Sequence, residues 1–367
     1  MTVFIIFFIL VILAVQFWSK KTALTGVSYD YKLSKKSVEI DEPTELISTI
    51  TNETARMVPF IRMVETLPKG IQTQGKKDFI RENTFLADSL TYNSSIYLTP
   101  SSQLQRKLKL SFAKRGRYIF HGAELRGGDF LGFTDYRQNY PKEREVVVYP
   151  QPIKSAYLQQ IIGGFLGDLS VRRFIMEDPI LTVGTREYTG REPLKQISWK
   201  HTARTGQMVV KQFDYTTEMV VTVFLDVSVV KGKTLTPEQF ECCYSLTRTV
   251  CQFLNDQKIP FEFITNTTLD GVLSLPKQSI QSLGTPHLRS ILEQLGRASY
   301  GTNATYEAII DQLSQNQDRN RSTVIITPQR DTLKGQLTQV FREKTTGSLL
   351  FIYGEDYHEP AEEVEIV

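Results

Sequence analysis

The 367-residue chain lacks most of the features that would settle its chemistry at once. It has three cysteines, Cys242, Cys243 and Cys251, too few for a disulfide scaffold. Adjacent Cys242 and Cys243 make a poor zinc pair, and Cys251 has no nearby histidine to complete a site. The four histidines are His121, His201, His287 and His358. No Ser-His-Asp order, nucleophile elbow, Gly-rich phosphate loop, Walker motif or CxxC is present, so no catalytic constellation is expected. Neither sign of charge dominates: 43 Lys plus Arg against 40 Asp plus Glu leave +3, too balanced for a dedicated nucleic-acid binder. Repeats and low-complexity segments are also missing. What remains, 41% hydrophobic and 23% charged residues, is ordinary for a folded protein of about two domains and excludes a disordered one. A mean hydropathy of −0.22 excludes a polytopic membrane protein while leaving room for one anchor.

One long apolar run opens the chain. From Met1 to Ser19 there is no charge, and Val3 to Trp18 is apolar apart from Gln16. About 18 residues give roughly 27 Å of helix, close to the ~30 Å hydrocarbon core of a bilayer. A cleaved signal peptide would need a basic start and a small-residue cleavage site, whereas here Met1-Thr2 is uncharged and Phe17-Trp18-Ser19 is bulky. The expectation is therefore an uncleaved transmembrane anchor at 1–19. Lys20 and Lys21 place the bulk of the chain in the cytoplasm, as a single-pass protein of the cell membrane.

Residues 28–150 read as β. Val38-Glu39-Ile40 and Leu46-Ile47-Ser48-Thr49-Ile50 alternate with period 2, and Leu108 to Phe112 does so cleanly. Turn clusters fall at Asp41-Glu42-Pro43, Leu67-Pro68-Lys69-Gly70 and Asn93-Ser94-Ser95. Short strands with frequent turns predict an immunoglobulin-like β-sandwich. Residues 151–217 read as a connector, loosened near its start by Gly163, Gly164 and Gly167.

From 218 the period changes. Met219 to Leu225 is a continuous apolar run closed by Asp226, which is how a buried parallel strand reads. Thr236-Pro237-Glu238-Gln239 supplies an N-cap, a proline at the first helical position and a capping-box glutamine. Strands are predicted at 260–264, 323–326 and 349–353, and helices at 286–295, 305–313 and 333–341. This alternation implies an α/β domain over 218–354 with a mainly parallel sheet. An acidic tail, 355–367, completes the layout.

In an open α/β sheet, ligands sit at the carboxyl ends of the strands. Asp226 and Ser228 lie at that edge, and Gly301-Thr302-Asn303 adds a hydroxyl. The arrangement resembles the von Willebrand factor A domain, which implies Mg²⁺ held by Asp226, Ser228 and Thr302. Val230 stands where a second serine is expected, and Pro328 where an acidic residue is expected, with Asp331 slightly beyond. The resemblance thus points to a degenerate metal site, a Mg-dependent binding or adhesion module being the alternative function. The plainer reading is that Asp226 and Ser228 cap the strand end and the loop after it.

The most distinctive stretch is Arg186 to Gly206. Its Arg186-Glu187-Tyr188, Gly190-Arg191 and Ile197-Ser198-Trp199, followed by Ala203-Arg204-Thr205-Gly206, resemble the signature of the bacterial family called domain of unknown function 58. Upstream, Arg115-Gly116-Arg117-Tyr118 and Asp129-Phe130-Leu131-Gly132-Phe133 match its strand-turn motifs. Glu192 departs from the family's pattern. The resemblance covers essentially the whole chain and implies a von Willebrand A-like C-terminal domain. It also implies a non-catalytic, membrane-anchored assembly factor partnered by a MoxR-type AAA+ ATPase. Two readings of the stretch stand side by side. In one, Trp199 packs between domains while Arg186 and Arg204 make buried or partly buried ion pairs. In the other, Arg186, Tyr188, Arg191, Trp199, Lys200 and Arg204 form a docking surface for an acidic partner or for lipid headgroups.

Overall fold

The computed structural model describes residues 24–73, 80–82, 89–128, 135–175, 182–213, 220–229, 232–271, 281–315, 321–344 and 347–357. Its elements fall into two compact units. One takes the described residues up to Gln151 together with Glu293–Arg297. The other takes Pro152–Leu292 and the described residues from Ala298 on.

The first unit is built from β1 (Val27–Leu33), β2 (Ser37–Val38), β3 (Thr44–Asn52), β4 (Val58–Pro68), β5 (Ile71–Thr73), β6 (Ile80–Glu82), β7 (Ser89–Leu98), β8 (Ser102–Phe112), β9 (Gly116–Gly128) and β10 (Asp135–Val148). They make a four-stranded sheet, β1-β3-β8-β5, and a six-stranded sheet, β2-β10-β9-β4-β7-β6. Strict alternation along β3 turns Leu46, Ser48 and Ile50 inward. Leu46 and Ile50 join one core with Tyr31, Leu110 and Phe112 of their own sheet and with Ile61, Met63, Leu125 and Val146 of the other. Glu65 enters the same interior between Met63 and Leu67. It accepts hydrogen bonds there from Tyr29 Oη, at 2.8 Å, and from Ser48 Oγ, and it pairs with Arg106. Burial, then the Glu65 carboxylate, raises the Tyr29 phenol well above its ordinary pKa. Asn93-Ser94-Ser95 is not a turn: it runs through the middle of β7, opposite Arg62, Met63 and Val64.

The second unit begins with α1 (Ala156–Ile175), where the glycines predicted a loose connector. Leu158, Ile162, Phe165 and Leu169 are buried at helical spacing, and that apolar stripe outweighs the cost of three glycines. Next come β11 (Thr182–Glu187), α2 (Trp199–Thr205) and β12 (Val209–Phe213), with β11 and β12 paired antiparallel. The chain continues through β13 (Val221–Leu225), α3 (Pro237–Asp256), β14 (Phe261–Thr265), β15 (Thr267–Leu269), α4 (Thr285–Arg297), β16 (Ala298–Thr302), α5 (Tyr306–Gln315), β17 (Ser322–Thr327), α6 (Thr332–Lys344) and β18 (Leu349–Tyr353). The sheet order is β14-β13-β17-β18, every pair parallel. β13, β14 and β17 are buried at each position, as strands covered on both faces must be. Phe224, Ile264 and Ile325 pack against Tyr306, Ile309, Ile310 and Leu313 of α5 and Phe341 of α6. Thr236 caps α3, its backbone N–H donating to Gln239 Oε1 at 2.9 Å.

The expected architecture is corrected in its opening element. Among the described residues, no helix is long and apolar enough to cross a membrane. The apolar run at 1–19 lies outside the described residues. The anchor, and the single-pass cell-membrane placement with a cytoplasmic bulk that rested on it, therefore have no support and are set aside. What stands is a sheet-rich chain with several sheets, one of them parallel. Of the acidic tail, Glu355 and Asp356 are described; they hold Arg330 at 2.8 and 2.6 Å.

Candidate functional site

Two places in the second unit gather the residues singled out from the sequence. The first is the carboxyl edge of the parallel sheet. Asp226 follows β13 directly and is 0% exposed. Its backbone N–H donates to Ile326 O at 2.8 Å, which fixes it between the two central strands. Oδ1 accepts from Ser228 N at 3.0 Å, Ser228 Oγ at 2.6 Å and Asn266 Nδ2 at 2.6 Å. Oδ2 accepts from Thr327 Oγ1 at 2.9 Å and Lys334 Nζ at 2.5 Å. Asn266 Oδ1 in turn accepts from Val227 N at 2.9 Å. Asp226 and Ser228 are thus together, as the sequence suggested. Thr302 is not with them. It is exposed at the end of β16, opposite Thr267, and is not among the described donors to Asp226. Asp331 accepts from Leu333 N at 3.1 Å and so serves the start of α6 instead. The Val230 position lies outside the described residues.

The donor set does not fit Mg²⁺. That ion demands six oxygens in near-ideal octahedral geometry at about 2.0–2.1 Å. Here a single carboxylate carries five donors, and one of them is already a cation. Among the described residues, no group of three or more His, Cys, Asp and Glu could hold a metal. Three residues that matter at this edge, Asn266, Thr327 and Lys334, escape a reading based on metal-ligand spacing. The available signal was Lys334 itself: it shares one helical stripe with Leu337, Thr338 and Phe341, a lysine on a buried face.

The second place is the distinctive stretch, which folds as a hairpin carrying a short helix. Arg186 pairs with Val210 across β11 and β12. The connection returns through a bridge between Ile197 and Val210, both buried, and Ser198 N donates to Val209 O at 2.9 Å. α2 then runs from Trp199 and stops at Gly206, whose φ of 71° is the left-handed C-cap that favours glycine. Glu192 braces the loop. It accepts from Thr189 Oγ1 at 2.8 Å and Arg186 at 2.6 Å, and these contacts, Thr189 first, hold its carboxyl down at about 2. Glu192 is therefore a structural latch for the loop.

Trp199 is 61% exposed, so it is not an interior packing residue. Arg191, Lys200 and Arg204 are exposed, and Lys200 and Arg204 share a helix face at i, i+4. The Arg186 ion pair is partly buried: the arginine side chain is half exposed, while that of Glu192 is largely covered. Leu194 and Met208 are exposed beside them in sequence, while Tyr188 is half-buried with its N–H on Met208 O at 3.0 Å. Residues 182–213 carry six Lys and Arg against two Glu. The stretch is a hydrogen-bonded hairpin displaying basic side chains and Trp199.

The nucleophile candidates are quiet. Burial pushes the Cys242 thiol up to about 11 and raises Cys243 and Cys251 well above the ordinary value. His287 is held by Phe261 O at 3.0 Å, and its pKa is lowered by burial.

No protein-family model matches the sequence, and no curated protein matches it. Among solved structures, a CARDB domain from Pyrococcus furiosus is 14% identical over 33% of this chain and 86% of its own, with a TM-score of 0.22. The cohesin module of a Clostridium perfringens family 33 glycoside hydrolase is 12% identical over 33% of this chain and 96% of its own, with a TM-score of 0.23. Likeness this slight carries no inference about fold, ligand or partner.

Proposed function

We propose that this chain is a non-catalytic interaction factor that docks an acidic protein surface through the face around α2. The observation that carries the reading is Trp199, 61% exposed at the start of a short helix on which Lys200 and Arg204 are exposed as well. An exposed tryptophan among arginines and lysines is the composition of an interaction hot spot, and the surplus of positive charge selects a negatively charged counterpart. The raised thiol pKa values and the absence of a nucleotide-binding motif support a role without chemistry of its own. On the resemblance of the Arg186–Gly206 stretch to the domain of unknown function 58 signature, the partner class is a MoxR-type AAA+ ATPase, and any ATP hydrolysis belongs to that partner.

The test is crosslinking and capture with the tagged full chain in native extracts, wild type beside Trp199→Ala and Arg204→Ala. We expect each variant to lose about tenfold or more of the captured partner, the size of a hot-spot truncation. The melting temperature should stay within a degree or two. Capture unchanged in both variants overturns the reading. So does equal binding of wild type to anionic vesicles and to protein, which would make the face a lipid surface.

A further inference from the structure

We infer that Lys334 is a built-in counter-ion that closes the carboxyl edge of the parallel sheet to divalent cations and clamps α6 onto it. The ammonium group has three hydrogens. The structure gives it three oxygens: Asp226 Oδ2 at 2.5 Å, Ser228 O at 3.0 Å and Thr327 Oγ1 at 3.3 Å. No donor is left for an external ligand. The side chain is 9% exposed, and its nitrogen lies 5.5 Å from the centre of the Tyr306 ring, on the face where aromatic rings attract cations.

The carboxylate is equally committed. Its two oxygens offer about four lone-pair sites, and five donors converge on them from Ser228, Asn266, Thr327 and Lys334. A divalent ion reaching Asp226 must expel the lysine and leave its charge beside the ion in a buried place, which low dielectric makes very unfavourable. The lysine thus does from within the chain what a metal would do from solution. It neutralises Asp226 and ties together the ends of β13 and β17 and the first turn of α6. The neighbouring hydroxyls extend the tie. Thr338 Oγ1 donates to Lys334 O at 2.6 Å and contacts Tyr306 Oη at 2.6 Å, which fixes the helix backbone that carries the lysine.

The experiment uses the full chain. MgCl₂ and MnCl₂ are titrated calorimetrically into wild type, and melting is followed with and without EDTA for wild type, Lys334→Met, Asp226→Asn and the double variant. Wild type is expected to give no saturable heat and one melting temperature in all buffers. Lys334→Met should melt roughly 5–10 °C lower, and the double variant above Lys334→Met alone, because removing both charges strands neither. Saturable Mg²⁺ or Mn²⁺ binding to wild type overturns the inference, and so does Lys334→Met melting at the wild-type temperature. If Lys334→Met does not fold, the wild-type titration decides by itself. Partner capture plays no part in this readout, so it stands or falls separately from the docking proposal.

Discussion

Glu65 and Glu192 show how differently two carboxylates can be held. Glu65 lies in a sandwich core, where an ionised group is tolerated only with partners. Arg106 supplies the charge, and Tyr29 and Ser48 supply hydroxyls. Arg106→Ala leaves that carboxylate without its cation, and chemical denaturation should show a loss of about 3–5 kcal/mol. Glu192 is a surface latch. Its folded pKa of about 2 lies below the usual carboxylate value of about 4.3, so its contribution is present above the unfolded value and is lost as pH falls through about 2. NMR titration of the Glu192 carboxyl should find the midpoint near 2, and Thr189→Val should move it upward. Neither partnership was legible in the sequence. Glu65 reads as the polar beat of an alternating strand, and Glu192 as a departure from a motif. What decides both is who stands across the fold: Arg106 is 41 residues from Glu65, and the inward face of β4 is set by the opposing sheet.

The elements themselves were more visible. The apolar run ending at Leu225 and the runs around Phe261, Val324 and Leu349 sit on the four parallel strands; for β13, β14 and β17, burial on both faces leaves no polar alternation to confuse them, and the part-buried edge strand β18 is apolar as well. The cap at Thr236 was legible for a local reason: its partner Gln239 is three residues away. Gln239→Ala, which removes the acceptor of the Thr236 N–H, should cost about 1 kcal/mol in thermal or denaturant unfolding. Two elements escaped. β7 hides behind Asn93-Ser94-Ser95, whose backbone is satisfied by β4, a partner that local propensity cannot see. α1 hides behind its glycines. A Cβ added at Gly163 or Gly164 would meet nothing within 4 Å, and neither has the positive φ that would demand glycine. Gly163→Ala and Gly164→Ala should therefore each stabilise the protein by about 0.5–1 kcal/mol, measured as a rise in denaturation midpoint.

At the scale of the molecule, the sandwich has a core of its own. Its buried cluster, from Leu24 to Val148, draws on no residue of the parallel sheet. A fragment of residues 24–151, which lacks the unit's Glu293–Arg297 segment but keeps the whole buried cluster, should accordingly give a β-type circular dichroism spectrum and a single cooperative melt. A spectrum without ordered strands would count against that independence. The site at the parallel edge was half legible at this scale. The topology rule pointed to Asp226 and Ser228, but Thr302, read as a hydroxyl from a further loop at that edge, stands opposite Thr267 instead. Lys334 was missed because 108 residues separate it from Asp226.

The order β14-β13-β17-β18 also sets a timetable during synthesis. The central strand, β13, finishes at Leu225, yet one of its two neighbours, β17, ends at Thr327. A ribosome must add roughly a hundred residues between them, and at about 5–20 residues per second the first strand waits many seconds for its mate. Throughout that wait a largely apolar ribbon has one side unmatched, whereas every sandwich strand has already left the exit tunnel. The second unit is thus the part of this polypeptide with most to gain from a chaperone on the nascent chain.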